Sequence, residues 1–575
     1  VFVPVSFMDG LPGLFFRQFG LTVAVAAFFS LIVARLITPM LAARFLRTTS
    51  HHEETAGPMT TRYLGLVEWT LRHRVKTLLI SAACVLGSFG LVPLLPTGFM
   101  PYDDYSLASV TLELPRGSTI ERTDAAAQEV MRILRQRPEV EYILSTVGET
   151  NGAVNRARIY VKLVPPRDRA LNEREFRNLM YPRIAGIADA RVNFEDFTGA
   201  KDISIALVGD DGEALEQAAD RLKRDMRALP GLANVDSSSG QRQPEIVVEM
   251  DPVKAAQLGI DAAQVGEAIS ISTIGDDTPR LSKFTYRNRE IPVRVHLPRE
   301  SARDLGMLEN LRLRTADGGS VALSPVAKLS FASGPAEIRR YDRQRRIDIE
   351  ANLDGIALGT ALDQVHALPA FSELPAGVSV LETGDAEFMR ELMLSFLKAL
   401  GAGLLMVYSI QVLLYKDWLQ PLARMIALPL SVGGALLLLF VTGHELSMPA
   451  LIGMMMLMGI ADKNSILLVD AMLERTRGGM PTHAAILEAC RLRARPIVMT
   501  SIAMIVGMLP VALGLALDSA FRGPMAIAVI GGLLSSTALS LIFVPVLFSY
   551  VHDFEQWLAA RYRPDSSAAP LPTEA

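Results

Sequence analysis

The segment Gly459-Ile-Ala-Asp-Lys-Asn-Ser-Ile-Leu-Leu-Val-Asp470 sets Asp462, Lys463 and Asn464 inside a hydrophobic run long enough to cross a bilayer. An ionisable side chain at that depth costs roughly 2.5–3.5 kcal/mol even on a lenient insertion scale. It persists there only if it faces a polar interior and finds a counter-charge. The segment therefore demands a helix bundle with a polar seam, and it points to a proton or ion path along that seam.

The rest of the chain fits such a bundle only in part. Half of its 575 residues are hydrophobic, yet 21% are charged. Mean hydropathy is +0.28. These values agree only if apolar and polar segments are segregated, as in a membrane protein with a large aqueous domain. A net charge of −4 gives no sign of nucleic-acid binding. Cys84 and Cys490 lie far apart in hydrophobic surroundings and read as unpaired, with no metal-type spacing. Hydrolase and P-loop signatures are absent, so no enzyme activity, cofactor or ATP coupling is expected. The opening Val1-Phe-Val-Pro has no Met and no basic n-region, and it reads as the tail of a helix that starts upstream.

Seven runs have the length of about 20 residues that a bilayer demands. They fall at 20–43, 77–96, 392–414, 421–442, 447–472, 497–517 and 525–551. The segments 44–76 and 473–496 are rich in Arg and Lys, and Lys416 and Arg424 flank a third turn. The opposite short loops, 443–447 and 518–524, hold only Arg522. By the positive-inside rule the basic loops are cytoplasmic, which puts 97–391 outside. Tyr63–Trp69 mixes apolar and basic neighbours as an interfacial helix would, lying against membrane lipid.

The outer segment has its own logic. Residues 106–114 alternate as a strand, and Ser118 with Glu121 spells a capping box for a helix to about 136. Strands at 139–147 and 156–164, a helix opened by Asn172 and Glu175, and a strand at 190–196 complete a βαββαβ ferredoxin-like unit. A second such unit is split: 202–208, 212–228 and 231–237 supply one half, and 337–352, 358–366 and 377–383 the other. Between them lies an insert with strands at Glu245–Met250 and Glu290–Val295 and a helix at Asp261–Ser270.

Several stretches together resemble the C-terminal half of a resistance-nodulation-division (RND) efflux transporter of the hydrophobe/amphiphile type. They are Val1-Phe-Val-Pro with Arg17-Gln-Phe, Leu36-Ile-Thr-Pro-Met, Leu95-Pro-Thr-Gly-Phe-Met-Pro, Gly459–Asp470 and Arg491-Leu-Arg-Ala-Arg-Pro-Ile-Val-Met-Thr-Ser501. The resemblance implies an α-helical membrane bundle plus a periplasmic α+β domain. The first part, 1–96, would hold the end of span five and spans six and seven. The first porter subdomain would occupy 97–200 and the second 201–239 with 331–391. A docking subdomain would be inserted at 240–330, followed by spans eight to twelve at 392–555 and a disordered cytoplasmic tail at 556–575. It further implies a multi-pass protein of the bacterial inner membrane, a homotrimer with a periplasmic adaptor and an outer-membrane channel, exchanging protons for small amphiphilic substrates. Two other transporters of the superfamily are alternatives: a heavy-metal-exporting permease, disfavoured because the outer-domain methionines are scattered singly, and a protein-translocation accessory, disfavoured by the split second unit.

The resemblance also assigns residues. Lys463 matches the lysine of a proton-relay cluster, Thr500 the relay threonine, and Arg493 the arginine at the cytoplasmic exit. The antiparallel run of the two helices allows Thr500 and Lys463 to lie at comparable depth. Asp462 departs from the small residue usual at its position, and both helix packing and an added titrating site fit it. The adjacent aspartates that carry protons in span four of the family have no match in this chain. Gly148–Asn155 resembles the flexible loop between drug pockets, so Gly148 and Asn151 are candidate substrate contacts. Tyr160 matches a pocket aromatic. Arg158, with Arg156 alternating on the same strand, hints at anionic or amphiphilic substrates.

Overall fold

The computed structural model describes residues 6–8, 10–45, 57–102, 104–115, 117–148, 153–195, 201–239, 242–273, 275, 282–293, 295, 298, 304–335, 337–425, 427–515 and 519–562. The first helix, α1 (Gly10–Ile32), passes through a π-turn at Val33–Ile37 into α2 (Thr38–Phe45). An amphipathic helix, α3 (Pro58–Arg72), then leads into α4 (Arg74–Phe89).

The next elements are β1 (Leu107–Glu113), α5 (Ile120–Leu134), β2 (Val140–Val147), β3 (Arg156–Leu163), α6 (Glu173–Ile184) and β4 (Arg191–Glu195). The four strands form one antiparallel sheet in the order β2-β3-β1-β4. Alternation decides its faces: Ala108, Val110, Leu112, Ala157, Ile159, Val161 and Phe194 are buried against Val130, Leu134, Phe176 and Met180 of the two helices. The helix starts follow cap chemistry, with one correction. The α6 start is the Asn172–Glu175 capping box. The α5 cap is Thr119, which accepts from the Arg122 amide, not Ser118. A turn bond from Ser118 N to Pro115 O holds Ser118 one residue too early. Thr119 has the extended backbone that a cap residue needs.

A second sheet begins with β5 (Ile203–Gly209), α7 (Gly212–Arg227) and β6 (Leu232–Ser237). The chain then forms a separate compact unit, Ser238–Arg339. Its elements are β7 (Arg242–Met250), α8 (Pro252–Leu258), α9 (Ala262–Thr273), β8 (Lys283–Tyr286), β9 (Arg289–Pro292), α10 (Leu305–Glu309), β10 (Arg312–Arg314), β11 (Ser320–Ala322) and β12 (Ala327–Pro335). In this unit β7 and β12 pair antiparallel, and Ala255, Ile260, Val265, Leu313, Leu323 and Val326 make a small core.

The second sheet resumes with β13 (Arg339–Tyr341), β14 (Gln344–Leu353), α11 (Leu358–His366), α12 (Pro369–Ser372) and β15 (Val378–Thr383). The expected single strand over 337–352 is instead two, broken at Asp342 and Arg343, whose φ values of 47° and 72° suit a two-residue hairpin turn. Around β14 the order is β6-β14-β5-β15, all antiparallel.

From β15 the chain enters α13 (Asp385–Tyr415), then α14 (Gln420–Met425), α15 (Ala427–Thr442), α16 (Met448–Arg477), α17 (Thr482–Ala512) and α18 (Ser519–Tyr562). Among the described residues seven helical segments are long and apolar enough to cross a bilayer, from Gly13–Phe45 to Ala520–Leu558. The tail expected over 556–575 is helix as far as Tyr562, where Trp557 stacks near Phe554 and Arg561 covers the Trp557 ring; the remainder lies outside the described residues.

α16 and α18 form the centre, each 72% buried over its most apolar window. Close approach rests on glycine: a Cβ added to Gly531 would stand 2.5 Å from the Gly434 carbonyl oxygen. Small residues at helix crossings are how membrane helices gain contact where lipid offers no hydrophobic drive. The core of the second sheet (Ile205, Leu207, Leu222, Ile349) is continuous with that of the bundle through Leu95, Phe99, Phe396, Leu446 and Leu451.

Candidate functional site

α16 carries the three polar residues of the Gly459–Asp470 segment, and successive residues on a helix diverge by about 100°. They reach different neighbours accordingly. Lys463 is half-buried, and its amine meets Met504 Sδ of α17 at 3.7 Å. Among the described residues no carboxylate pairs with it. Asn464 is buried, and its Nδ2 donates to Ser501 Oγ at 3.4 Å and Thr537 Oγ1 at 3.5 Å. Thr537 in turn donates to Ser501 at 2.7 Å, so a polar trio ties α16, α17 and α18. Asp462 is buried on a third side, where its Oδ2 accepts from Gln411 Nε2 of α13 at 2.7 Å.

Thr500 is not brought onto Lys463. Its hydroxyl donates to Ile497 O of its own helix at 3.0 Å. The residue that Lys463 does touch, Met504, lies four positions along α17, about 6 Å farther on at 1.5 Å per residue. Arg493 is exposed about three turns into α17.

Arg424 overturns the expectation of a loop charge. It is fully buried, because α14 turns it inward over the Tyr415 ring at 3.5 Å. Its Nη2 donates to Asp470 Oδ1 at 3.1 Å, and the Tyr415 hydroxyl donates to Asp470 Oδ2 at 3.0 Å. A guanidinium with a ring face and a carboxylate is a cation given two partners in exchange for water.

In the outer domain, Tyr160 and Arg158 lie half-buried on the sheet face opposite α5 and α6. Ser109 and Leu144 flank Tyr160 in register, and Thr111 and Thr146 flank Arg158. The charge on Arg156 is not free for an anion: it binds Glu113 at 3.0 Å. Gly148 ends β2 with φ +81°, a left-handed backbone that favours glycine. Asn151 lies outside the described residues.

Where the two sheets meet, half-buried charges are brought together. Arg191 pairs with Asp236, which also holds Lys223 at 3.1 Å. Lys201 donates to Asn234 O at 2.9 Å, and burial pushes its amine down to about 8 against the pull of Glu350. Burial likewise raises the Glu195 carboxyl and lowers the Arg191 guanidinium.

A sequence profile of the AcrB/AcrD/AcrF family matches residues 1–552. The chain belongs to that family of RND permeases. Two crystal forms of a heavy metal efflux pump share its fold, with TM-scores of 0.79 and 0.77 at 24% and 23% identity. Each comparison covers 96% of this chain and 57% of the pump, so the chain spans little more than half the length of these structures.

Within this family member the sequence reading missed Gln411, Arg424, Ser501 and Thr537. Arg424 carried a signal, being the one ionisable residue inside the expected span 421–442. Ser501 adjoins the recognised Thr500. Gln411 follows Tyr408 and Ser409, and Thr537 stands in Ser535-Ser536-Thr537; nothing local separates either from neighbours bonded to their own backbone.

Proposed function

We propose that this chain is part of a proton-driven efflux permease of the bacterial inner membrane, with 97–391 facing the periplasm. The observation that carries the reading is Lys463, an amine set within an apolar helix with no carboxylate partner among the described residues. A cation there needs a counter-charge. A carboxylate elsewhere in the full-length transporter, pairing when ionised and releasing when protonated, makes a two-state coupling element. Arg493 stands at the basic end of the path. Thr500, bonded to its own helix, joins the relay only by exchanging that bond.

Amphiphilic small molecules are the proposed substrates, taken up beside the open face that carries Tyr160 and Arg158 and near Gly148. That face mixes aromatic, aliphatic and neutralised polar groups, which suits an amphiphile better than a simple anion. The 97–200 and split 201–239/331–391 units serve as porter subdomains and the insert as docking subdomain, in a homotrimer that meets a periplasmic adaptor and an outer-membrane channel.

Metal export is the second reading, favoured by the heavy metal efflux pump that shares the fold. Against it, Met180 and Met226 are fully buried in the separate cores of the two sheets. Among the described residues no cluster of His, Cys, Asp or Glu is fit to hold a metal.

The test is Lys463→Ala in the full-length transporter, expressed in cells lacking their own efflux. Dye and drug export is expected to fall to background while membrane level and oligomer size stay at wild type. Undiminished export would refute the relay. Copper, silver or zinc resistance without drug resistance would move the substrate to metal.

A further inference from the structure

Asp462 differs from Lys463 in that a buried side chain of this chain, Gln411, binds it directly. Its Oδ2 accepts from Gln411. Its Oδ1 and the Gln411 Oε1 have no hydrogen-bond partner among the described residues. Both side chains are at least nine-tenths buried, at 6% and 4% exposure. Two buried acceptors short of a donor are costly beside an ionised carboxylate, and a proton on Oδ1 supplies a donor.

The neighbouring cation is Arg424. Its Nη2 is taken by Asp470, while Nε and Nη1 have no hydrogen-bond partner among the described residues. Asp462 and Asp470 lie on one helix, eight residues or about 12 Å apart along its axis. Arg424 acts electrostatically on Asp462, and Tyr415, Asp470, Asp462 and Asp417 act on Arg424. Among the described residues the other helices packed on α16 bring no charge to Asp462: α15 has no ionisable residue, and α17 and α18 present Ser501 and Thr537 to Asn464.

We propose that Asp462 is a second proton-binding site, served by Arg424 as its counter-charge and read out by α13 through Gln411. It rests on the proton-coupled reading above, but it needs no group from outside this chain. Ionised, Asp462 grips Gln411 by a charge-assisted bond and competes with Asp470 for the guanidinium. Protonated, it leaves Arg424 to Asp470 and holds Gln411 by a weaker neutral bond. Gln411 stands near one end of α13, whose other end joins β15 through the single residue Gly384. Loosening one end of that helix is therefore passed to the second sheet.

The experiment is an infrared titration of the purified full-length transporter between about pH 4 and about pH 9. A protonated-carboxyl band is expected that Asp462→Asn removes, that Lys463→Ala retains, and that Arg424→Gln displaces by about one pH unit or more. Asp462→Glu, which keeps the acid if the amide variant fails to fold, should retain a band at an altered pH. A wild-type spectrum whose bands all survive Asp462→Asn overturns the proposal, as does a band lost with Lys463→Ala alone. Export in vesicles, measured in parallel, separates the two ideas: absent wild-type export defeats the permease reading while the Asp462 band stands.

Discussion

Asp462 and Lys463 adjoin in sequence and serve different walls of α16. One is buried and bonded to Gln411, the other is half-buried and meets Met504. Arg424 is where the difference has an energetic consequence. Replacing it by Leu leaves Asp470 and Asp462 without their cation, and the loss should be about 2 kcal/mol, less than the roughly 3–5 kcal/mol of a wholly buried pair because Asp470 is 42% exposed. Thermal unfolding of the detergent-solubilised protein measures it, and Asp470→Asn added to Arg424→Leu should recover part. A second residue-scale prediction concerns Lys201. Burial lowers its folded amine to about 8 from the ordinary 10.5 of a lysine. The unfolded chain therefore binds more protons between those values, and stability rises as pH climbs through that window. In Lys201→Met that rise should be reduced; an identical pH dependence of the melting temperature would count against a buried, deprotonating lysine.

Helices and strands show what local pattern can and cannot convey. The apolar runs, the alternating strands and the Asn172–Glu175 box are written in short-range sequence, and helices and strands stand over them. Ser118 and Glu121 have capping-box spacing, but the turn on Pro115 is what leaves Thr119 to cap the helix. Asp342 and Arg343 carry no glycine signal, so their hairpin within 337–352 was invisible. Arg424, Gln411 and Thr537 depend on which helix faces which, and no window of one sequence holds that. The close crossing of α15 and α18 is of the same kind, and it is testable. Gly531→Val puts a branched side chain where even a Cβ would lie 2.5 Å from Gly434 O. The expected cost is about 1–3 kcal/mol, with a lower melting temperature and more aggregate on gel filtration. Gly507→Val, on a helix position with open space around it, should be near wild type.

At the scale of the whole chain, the second sheet and the bundle share one core. Their coupling is thus made by packing as well as by the α13 connection. A further link lies at the end of α4. Leu446 N donates to Pro96 O at 2.8 Å, Gly98 N to Leu446 O at 3.3 Å, and Met448 N to Phe99 O at 3.0 Å. This explains why the Leu95–Pro101 motif is so distinctive: it is a strand-like clip that fastens the segment after α4 to the start of α16. A fastened rim leaves the two helices the freedom of scissor blades, whose spread is smallest at the rivet and grows with distance from it. Rearrangements that begin at Asp462 or Lys463 would then swing widest at the basic, Arg-lined end and leave the clipped edge nearly still.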